Sequence, residues 1–260
     1  MKIAFYLAFL IIILPNSSNQ ANSDIEIEKI ANMGILVKYK EQSLIIDALF
    51  EKHFNEYEFP SKKSIKKLFK LKYLKYVLVT HTHRDHYDFG LTNQLIKEKP
   101  TTVIIPADSM GPKGTVAGKR AGYLGLISFM AMENVYDTFT IDYEVFKITG
   151  FRLPHVGRSK TVNICYLIEF DNGKRILHTG DADLAYLSNE KLDGLLSSRI
   201  DIAFLPFFEV NKHYKELKEM NISKIVPVHF DLRVKNIEEQ LRELNIPNLT
   251  FLQKKQKITL

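Results

Sequence analysis

The sequence predicts one α/β domain in which layered β-sheets and helices share a core. Its 260 residues, 45% hydrophobic and 25% charged, fit a single globular domain and are too apolar for a disordered chain. Strand-like runs are grouped near the start, and later strands alternate with helical stretches. No internal repeat and no linker rich in Gly, Pro or Ser divides the chain, so we expect residues 24–260 to form one domain.

The first strands are predicted from β-branched and apolar runs separated by turns. Ile25 to Ile30, Gly34 to Tyr39 and Ser43 to Leu49 follow this pattern. The lysine-rich stretch from Ser61 to Tyr76 carries one apolar stripe at helical spacing and predicts a solvated amphipathic helix. Tyr76 to Thr80 is apolar again and predicts a buried strand that ends just before a run of histidines.

The rest of the chain continues the alternation. An Asp-Asn-Gly-Lys turn at 171–174 predicts a hairpin between two later strands. The apolar stretch Ala121 to Met132 is too short to span a membrane and predicts a core helix, with a pocket lid as the alternative. The remaining predicted strands are Val103 to Ile105, two within Val135 to Ile148, Cys165 to Glu169, Arg175 to His178 and Ile202 to Leu205. The remaining predicted helices are Leu91 to Glu98, Leu184 to Leu196, Lys212 to Met220 and Ile237 to Leu244.

The N-terminus has the layout of a secretory signal peptide. Lys2 precedes the apolar run Ile3 to Leu14, which is shorter than the roughly 20 residues that a bilayer span needs. Small residues at Ala21 and Ser23 predict cleavage after Ser23, with an uncleaved signal anchor as the alternative. We therefore expect residues 1–23 to be a signal peptide, the mature protein to be secreted or periplasmic, and no stable membrane insertion to remain.

Charge and cysteine content exclude several classes of protein. The net charge of +6 falls to +5 when Lys2 is removed, which is too mild for a nucleic-acid-binding protein, so we expect no nucleic-acid partner. Cys165 is the single cysteine, so neither an intramolecular disulfide nor a thiolate metal cluster can form. It lies in a strand-like run, and we expect a buried structural thiol.

A metal site is predicted where the strand Tyr76 to Thr80 ends. His81, His83, Asp85 and His86 form the pattern H-x-H-x-D-H. Residues two apart in an extended chain point the same way, so His81 and His83 can face one cation while Asp85 and His86 face a second. Imidazole and carboxylate ligands without thiolate favour zinc, with manganese or iron as alternatives.

This motif, placed after a strand, resembles the hallmark of the metallo-β-lactamase superfamily, and later phrases extend the resemblance through nearly the whole mature chain. Leu153-Pro154-His155 is similar to the segment of the family's next histidine. Leu177-His178-Thr179-Gly180-Asp181 is similar to the turn of its bridging aspartate, and Val226-Pro227-Val228-His229 to its last histidine. Leu-His-Thr-Gly-Asp and Ile-Ala-Phe-Leu-Pro resemble the branch that contains ascorbate-6-phosphate lactonase and N-acyl phosphatidylethanolamine phospholipases.

The resemblance implies a four-layer αββα sandwich of two mixed β-sheets, the metallo-β-lactamase fold, holding two Zn²⁺ per chain. It implies one metal held by His81, His83 and His155, a second by Asp85, His86 and His229, and Asp181 bridging them. A pair of cations lowers the pKa of a shared water toward about 7, so a metal-bound hydroxide is the expected nucleophile. Asp85 is the predicted catalytic residue, which guides the proton.

Other polar residues near the motifs receive lesser roles. Asp47 is predicted to orient a ligand histidine, His178 to support the site or to pack, and Asp183 to cap the helix that begins near Leu184. His53 and His213 are predicted to be solvent-exposed. Residues on loops beside the motifs are predicted to contact an anionic substrate, with plain surface charge as the alternative; they are Arg84, Tyr87, Arg158, Ser159, Lys160 and Lys212.

The predicted function is an exported dinuclear metal-dependent hydrolase that cleaves a small ester, lactone or phosphoester, with a small anionic molecule as substrate. A β-lactam hydrolase or a phosphodiesterase of the same fold is one alternative. A non-catalytic metal-binding protein is another, although a full ligand set for two cations is already suited to activating water. The substrate, the native metal and the oligomeric state do not follow from the sequence.

Overall fold

The computed structural model describes residues 24–53, 55–107, 127–158 and 160–260, and every structural statement below concerns these residues. Two mixed β-sheets pack face to face, with helices on their outer faces, which confirms the predicted αββα sandwich. The predicted signal peptide, residues 1–23, lies outside the described residues. Among the described residues, no helix is both long and apolar enough to cross a bilayer.

The first sheet has the strand order β13-β1-β2-β3-β4-β5-β6. Its first three strands are antiparallel neighbours, and β3 to β6 pair in parallel. Because parallel strands end at the same edge, residues that follow β3, β4 and β5 are brought together. The strands are β1 (Glu26–Ala31), β2 (Gly34–Tyr39), β3 (Gln42–Ile46), β4 (Leu74–Leu78), β5 (Thr102–Pro106), β6 (Ile127–Met130) and β13 (Lys257–Thr259).

The second sheet has the order β12-β11-β10-β9-β8-β7. β7, β8, β9 and β10 form an antiparallel meander, and β10, β11 and β12 run parallel. The predicted hairpin at 171–174 joins β9 to β10, as expected. The strands are β7 (Thr138–Tyr143), β8 (Phe146–Pro154), β9 (Val162–Phe170), β10 (Arg175–His178), β11 (Ile202–Pro206) and β12 (Ile225–Val228).

The helices lie outside the two sheets. Ser61 caps the lysine-rich helix, its side chain accepting a hydrogen bond from the Ser64 amide, and the helix ends well before β4. Asp183 likewise accepts from the Ala185 amide, as predicted, at the start of a short 3-10 turn. The helices are α1 (Lys62–Phe69), α2 (Phe89–Glu98), α3 (Asp193–Leu196), α4 (Phe207–Lys212), α5 (Tyr214–Glu219) and α6 (Ile237–Glu243), with 3-10 turns at Leu184–Tyr186 and Glu190–Leu192.

Three apolar clusters hold the layers together. The largest lies between the sheets and includes Ile35, Ile46, Tyr166 and Phe204. A second fills the space between the second sheet and its helices, and a third lies under α1 and α2. Cys165 is buried in the second cluster as a free thiol, as expected, and burial raises its pKa well above the usual range.

Three predicted elements differ from the structure. The predicted core helix from Ala121 to Met132 is wrong over residues 127–130, which form β6 at the edge of the first sheet; residues 121–126 lie outside the described part. An uninterrupted apolar run has no decisive periodicity, and parallel pairing with β5 selects the strand here. The predicted helix Leu184 to Leu196 is instead two 3-10 turns followed by α3. The predicted helix Lys212 to Met220 is instead the end of α4 and all of α5, two helices that meet at His213.

Candidate metal centre

The site lies at one end of the sandwich, where strands of both sheets finish. β4 ends two residues before Thr80, and β8 ends at Pro154, directly before His155. β10 ends at His178 and β12 at Val228, directly before His229. The parallel pairing of β10, β11 and β12 and the facing of the two sheets bring these strand ends together, although they lie up to 148 residues apart, from His81 to His229.

The seven predicted ligands form two adjacent clusters. His81, His83, His155 and Asp181 each offer a ligand atom within 4.8 Å of the others. Asp85, His86 and His229 do the same. The three imidazoles of the first cluster pack evenly, with ring centroids 4.5 Å apart for His81 and His83 and 4.7 Å apart for His81 and His155. The grouping is the one that the family resemblance implies.

Asp181 lies between the two clusters. Its Oδ2 is 3.7 Å from His81 Nε2 and 3.6 Å from His155 Nε2, both in the first cluster. The same oxygen is 3.3 Å from His229 Nε2, and Oδ1 is 3.5 Å from His86 Nε2. One carboxylate therefore faces four imidazole nitrogens, two from each cluster, which is the position a bridging ligand requires.

Hydrogen bonds at Nδ1 fix the tautomers of His81, His86 and His155. The Thr80 hydroxyl donates to Asp47 Oδ2 at 2.6 Å, so its oxygen is left to accept from His81 Nδ1 at 3.1 Å. His86 Nδ1 donates to Asp47 Oδ2 at 2.9 Å, and His155 Nδ1 donates to the Val156 carbonyl at 2.7 Å. In each ring the proton is held at Nδ1, and the Nε2 lone pair is directed at the cluster.

Buried polar atoms that have no hydrogen-bond partner indicate that these residues can bind a metal. Within the described part of the chain, the buried Nε2 atoms of His81, His86 and His155 and Oδ1 of Asp181 have no hydrogen-bond partner. Leaving buried polar atoms unpaired costs about 1–3 kcal/mol each, so four at one point need an explanation. All four are metal-ligating atom types, and they converge.

The electrostatics of the site also suit a cation. Burial lowers the pKa of His81 and His155 and lowers that of His83 to about 4, so these rings are neutral and can coordinate at pH 7. Burial opposes the charged form of His86 too, yet the carboxylates of Asp181 and Asp47 raise its pKa well above the usual value. The same carboxylate field that raises this pKa also stabilises a metal cation bound at His86 Nε2.

Asp47 supports one histidine of each cluster: it accepts from His86 Nδ1, the orienting contact that was predicted, and it reaches His81 through the Thr80 hydroxyl. It follows β3 in a left-handed conformation, with φ 46°, which brings both carboxylate oxygens to the Thr80 backbone and side chain. Asp tolerates this region better than most residues, and such conformations are found at functional sites. His229 also has a positive φ, 61°.

Three further residues support the site and were not predicted. Asn32 Nδ2 lies 3.3 Å from Asp85 Oδ2, and Asn163 Oδ1 accepts from the Asp181 amide at 3.1 Å. Tyr57 packs edge-on against His229, with ring centroids 4.5 Å apart. Asn32 and Asn163 follow or occupy strands without a ligand-like spacing, so no local signal identifies them.

The turn that presents Asp181 is closely packed. Gly180 has φ 56°, and a Cβ at this position would lie 2.6 Å from Thr80 Cβ and from Asn163 Oδ1, so only glycine fits. His178 Nε2 donates to the Met33 carbonyl at 2.9 Å, while its Nδ1 accepts from the Gly180 amide at 3.2 Å. Both nitrogens of His178 are thus used, which gives it the supporting role that was predicted as one alternative.

The structure gives less support to the predicted substrate contacts than to the predicted metal ligands. Arg84, Arg158 and Lys160 are exposed on loops that follow the ligand motifs. Tyr87 packs against the apolar cluster under α2, a placement that lends no support to a substrate contact. Ser159 lies outside the described residues. Lys212 lies 3.9 Å from Asp183 Oδ1 and 3.7 Å from Glu209 Oε1.

The two remaining histidines differ from each other. His53 is exposed, as predicted. The prediction that His213 is exposed is wrong, because only 9% of it is accessible. It lies at the junction of α4 and α5 and faces Glu209, which is four residues earlier in the chain. A helix corner, which the local sequence does not reveal, buries it.

Comparison with known proteins agrees with this architecture. A family model described as "Beta-lactamase superfamily domain" matches residues 43–249. No curated protein matches the chain significantly in sequence. Among solved structures, the metallo hydrolase Igni18 from Ignicoccus hospitalis is 15% identical, with a TM-score of 0.63 over 92% of this chain and 99% of that one.

Two other solved structures have the same fold. Tm1679, a metal-dependent hydrolase of the beta-lactamase superfamily, is 12% identical, with a TM-score of 0.55 over 90% of this chain and 98% of that one. CmlA, a diiron beta-hydroxylase from Streptomyces venezuelae, is 12% identical, with a TM-score of 0.63 over 92% of this chain and 54% of that one. At these identities the likeness establishes the fold.

Proposed function

We propose that this chain, which belongs to the beta-lactamase superfamily of metal-dependent hydrolases, is an exported dinuclear hydrolase of a small ester, lactone or phosphoester. The observation that carries the proposal is the position of Asp181, whose two carboxylate oxygens face imidazoles of both His/Asp clusters. A single-metal site would need one cluster, and the second would then be a costly group of buried polar atoms.

The residues of the site have two roles: some would bind the metals, and others orient the side chains that bind them. His81, His83 and His155 would hold one divalent cation, Asp85, His86 and His229 the other, and Asp181 both. When bound, such a pair supplies the acidity that makes water nucleophilic near neutral pH and the positive charge that polarises the substrate oxygen. Asp47 keeps the rings of His81 and His86 in the coordinating tautomer.

Asp85 is the residue proposed to move the proton. Burial opposes its ionisation, but the hydrogen bond from His229 lowers the pKa of its carboxyl below the usual value, so it is a carboxylate at neutral pH. Asn32 lies beside the same oxygen and restrains it. A fixed carboxylate in the second cluster can accept a proton from water and deliver it to the leaving oxygen.

Zinc is the proposed metal because the donors are imidazole and carboxylate, with manganese and iron as the alternatives. The exposed Arg84, Arg158 and Lys160 on the loops beside the clusters favour an anionic substrate. Export rests on the pattern of residues 1–23, which has a basic start and a short apolar run. The resemblance of the Asp181 motif to lactonases and phospholipases favours ester and phosphoester chemistry.

The proposal is tested with the purified mature protein and a panel of three substrate classes. A set of lactones, bis-p-nitrophenyl phosphate and the β-lactam nitrocefin should reveal turnover that a chelator abolishes and added zinc restores. We expect lactone or phosphoester turnover and no nitrocefin turnover. Turnover of nitrocefin instead would establish the β-lactam hydrolase alternative, and bound metal with no turnover of any class would favour a metal-binding protein.

A matched pair of carboxylate variants controls for folding. Asp85→Asn keeps the size of the side chain and should lower kcat by about 10²–10⁴, the usual contribution of a proton-transfer residue. Glu51→Gln alters an exposed carboxylate and should leave kcat unchanged. Equal rates for Asp85→Asn and the wild type would exclude the proposed role of Asp85.

A further inference from the structure

A third group of ligand-type side chains lies apart from the two clusters. Asp183, Glu209 and His213 each offer a ligand atom within 4.8 Å of the others. Asp183 precedes the 3-10 turn after β10, Glu209 lies in α4, and His213 is the residue at which α4 gives way to α5. None of the three belongs to the ligand set of the metal centre described above.

His213 is directed into this group without a hydrogen bond. Its Nε2 is 3.3 Å from Glu209 Oε2 and 3.7 Å from Asp183 Oδ1. Only 9% of the residue is accessible, and within the described residues this nitrogen has no hydrogen-bond partner. A buried imidazole nitrogen that lies close to two carboxylate oxygens and forms a hydrogen bond with neither is arranged as a ligand would be.

The carboxylates are already oriented by the backbone. Glu209 Oε2 accepts from the Leu184 amide at 3.0 Å, and Asp183 Oδ1 accepts from the Ala185 amide at 3.1 Å. These bonds tie the turn after β10 to α4 and fix the direction of both side chains. The geometry therefore does not depend on a cation to form, and each carboxylate keeps a second oxygen.

The charge balance leaves room for a divalent cation. Asp183 and Glu209 are both acidic, and among the described lysines and arginines Lys212 lies within 4 Å of both. Lys212 is 58% exposed, so it can turn away into solvent at little cost. Burial raises the pKa of Glu209, and a cation bound beside it would stabilise its charged form.

We propose that Asp183, Glu209 and His213 form a separate site for a divalent transition metal, with water completing the coordination. One imidazole and two carboxylates are donors that zinc, manganese and iron accept. The accessible side of Asp183, 27% exposed, gives the cation a path from solvent. The bound metal fastens the turn that follows the bridging Asp181 to the α4–α5 corner.

The test counts zinc bound to the full mature chain. Metal-free protein is loaded with zinc, desalted and analysed for metal by mass spectrometry, for the wild type, Glu209→Gln, Asp183→Asn and the control Glu216→Gln, an exposed glutamate of α5. Each of the first two variants should bind one equivalent fewer than the wild type, and the control should bind the same number. Asp183→Asn retains the capping side chain, so it covers a failure of Glu209→Gln to fold.

Lys212 provides a test in the opposite direction. Lys212→Met removes the cation that competes for the same carboxylates and should tighten zinc binding at this site severalfold. The wild type should also gain thermal stability on zinc addition by a margin that Glu209→Gln lacks, since ligands that bind the native state alone stabilise it.

A purely structural ion pair between protonated His213 and Glu209 is the competing explanation. It predicts the same number of zinc equivalents in all four proteins and weaker or unchanged binding in Lys212→Met, and that result would overturn the proposal. Failure of the principal metal centre is distinguishable, because it removes the equivalents that the wild type and Glu209→Gln share and leaves their difference intact.

Discussion

Polar contacts lie at both ends of the sandwich, but they are partly exposed at one end and buried at the other. At the far end, the turn after β2 meets the β9–β10 turn, where Tyr39 and Lys40 both contact Asp171 in contacts that are partly exposed. At the site end the contacts are buried, and among the described residues four ligand-type atoms that converge there have no hydrogen-bond partner. Polar groups that pair with one another stabilise a fold, whereas several ligand-type atoms left unpaired at one point indicate that this end is built to bind something.

The largest expected difference is between two aspartates of equal burial. Asp181 and Asp201 are each 6% accessible, but Asp181 faces imidazoles while Asp201 Oδ2 accepts from the Arg175 amide at 2.9 Å. Asp181→Asn should lower kcat/KM by about 10³-fold or more with the fold retained, because both proposed metals lose a ligand. Asp201→Asn should keep its kcat/KM and lose about 1–3 kcal/mol of stability.

Steady-state kinetics and urea unfolding of both variants make this comparison. If Asp201→Asn lost as much activity as Asp181→Asn, the two ends would not differ in function, and the distinction drawn from the unpaired atoms would be wrong.

The next effect concerns orientation. Asp47→Asn leaves a neutral amide where a carboxylate accepts from His86 Nδ1 and the Thr80 hydroxyl. Loss of such supporting contacts lowers metal affinity or activity by about 10–100-fold. We therefore expect weaker zinc binding by titration calorimetry, with activity partly restored by excess zinc. Activity that is lost at every zinc concentration would mean that Asp47 acts by some other route.

A matched tyrosine pair compares hydrogen bonds between the sheets. The Tyr166 hydroxyl is fully buried and donates to the Val79 carbonyl at 2.8 Å, while the Tyr39 hydroxyl donates to the partly exposed Asp171. Tyr166→Phe should cost about 1–3 kcal/mol because a buried carbonyl loses its partner. Tyr39→Phe should cost less, since water can solvate Asp171. Equal losses in urea unfolding would show that burial does not separate the two contacts.

The smallest effect is expected on the surface of the second sheet. Lys147 and Glu169 lie directly opposite each other on β8 and β9, with their charged atoms 2.9 Å apart and both side chains partly exposed. Lys147→Ala should cost about 0.2–1 kcal/mol, as exposed pairs do. The loss should shrink further in 1 M salt, and a loss of several kcal/mol would place this pair with the buried contacts of the site end.

Local pattern predicted those parts of the molecule whose signals lie within a few residues. β2 and β10 have the predicted bounds, because alternation and turns delimit them. β13 was not predicted, since Lys257–Thr259 is short and polar and is held only by pairing with β1. β6 was mistaken for a helix because an apolar run fits a buried strand and a buried helix equally well.

The site residues also divide into those that a local sequence pattern identifies and those that it does not. His81, His83, Asp85 and His86 are found from their spacing, because one loop carries all four. His155, Asp181 and His229 came from the family resemblance, since each is a single residue on its own strand end. Asn32, Thr80 and Asn163 have roles that depend on contacts between distant segments, such as Asn32 with Asp85 at a separation of 53 residues, and no local spacing encodes them.

The most direct test of the central claim is the number of zinc ions held by the principal centre. It is measured on the Glu209→Gln variant, in which the separate site is removed, by loading the metal-free protein with zinc and determining the equivalents that survive desalting. The account predicts two equivalents per chain, both lost in a further Asp181→Asn, His81→Gln double change. One equivalent, or none, in well-folded Glu209→Gln protein would contradict a dinuclear centre.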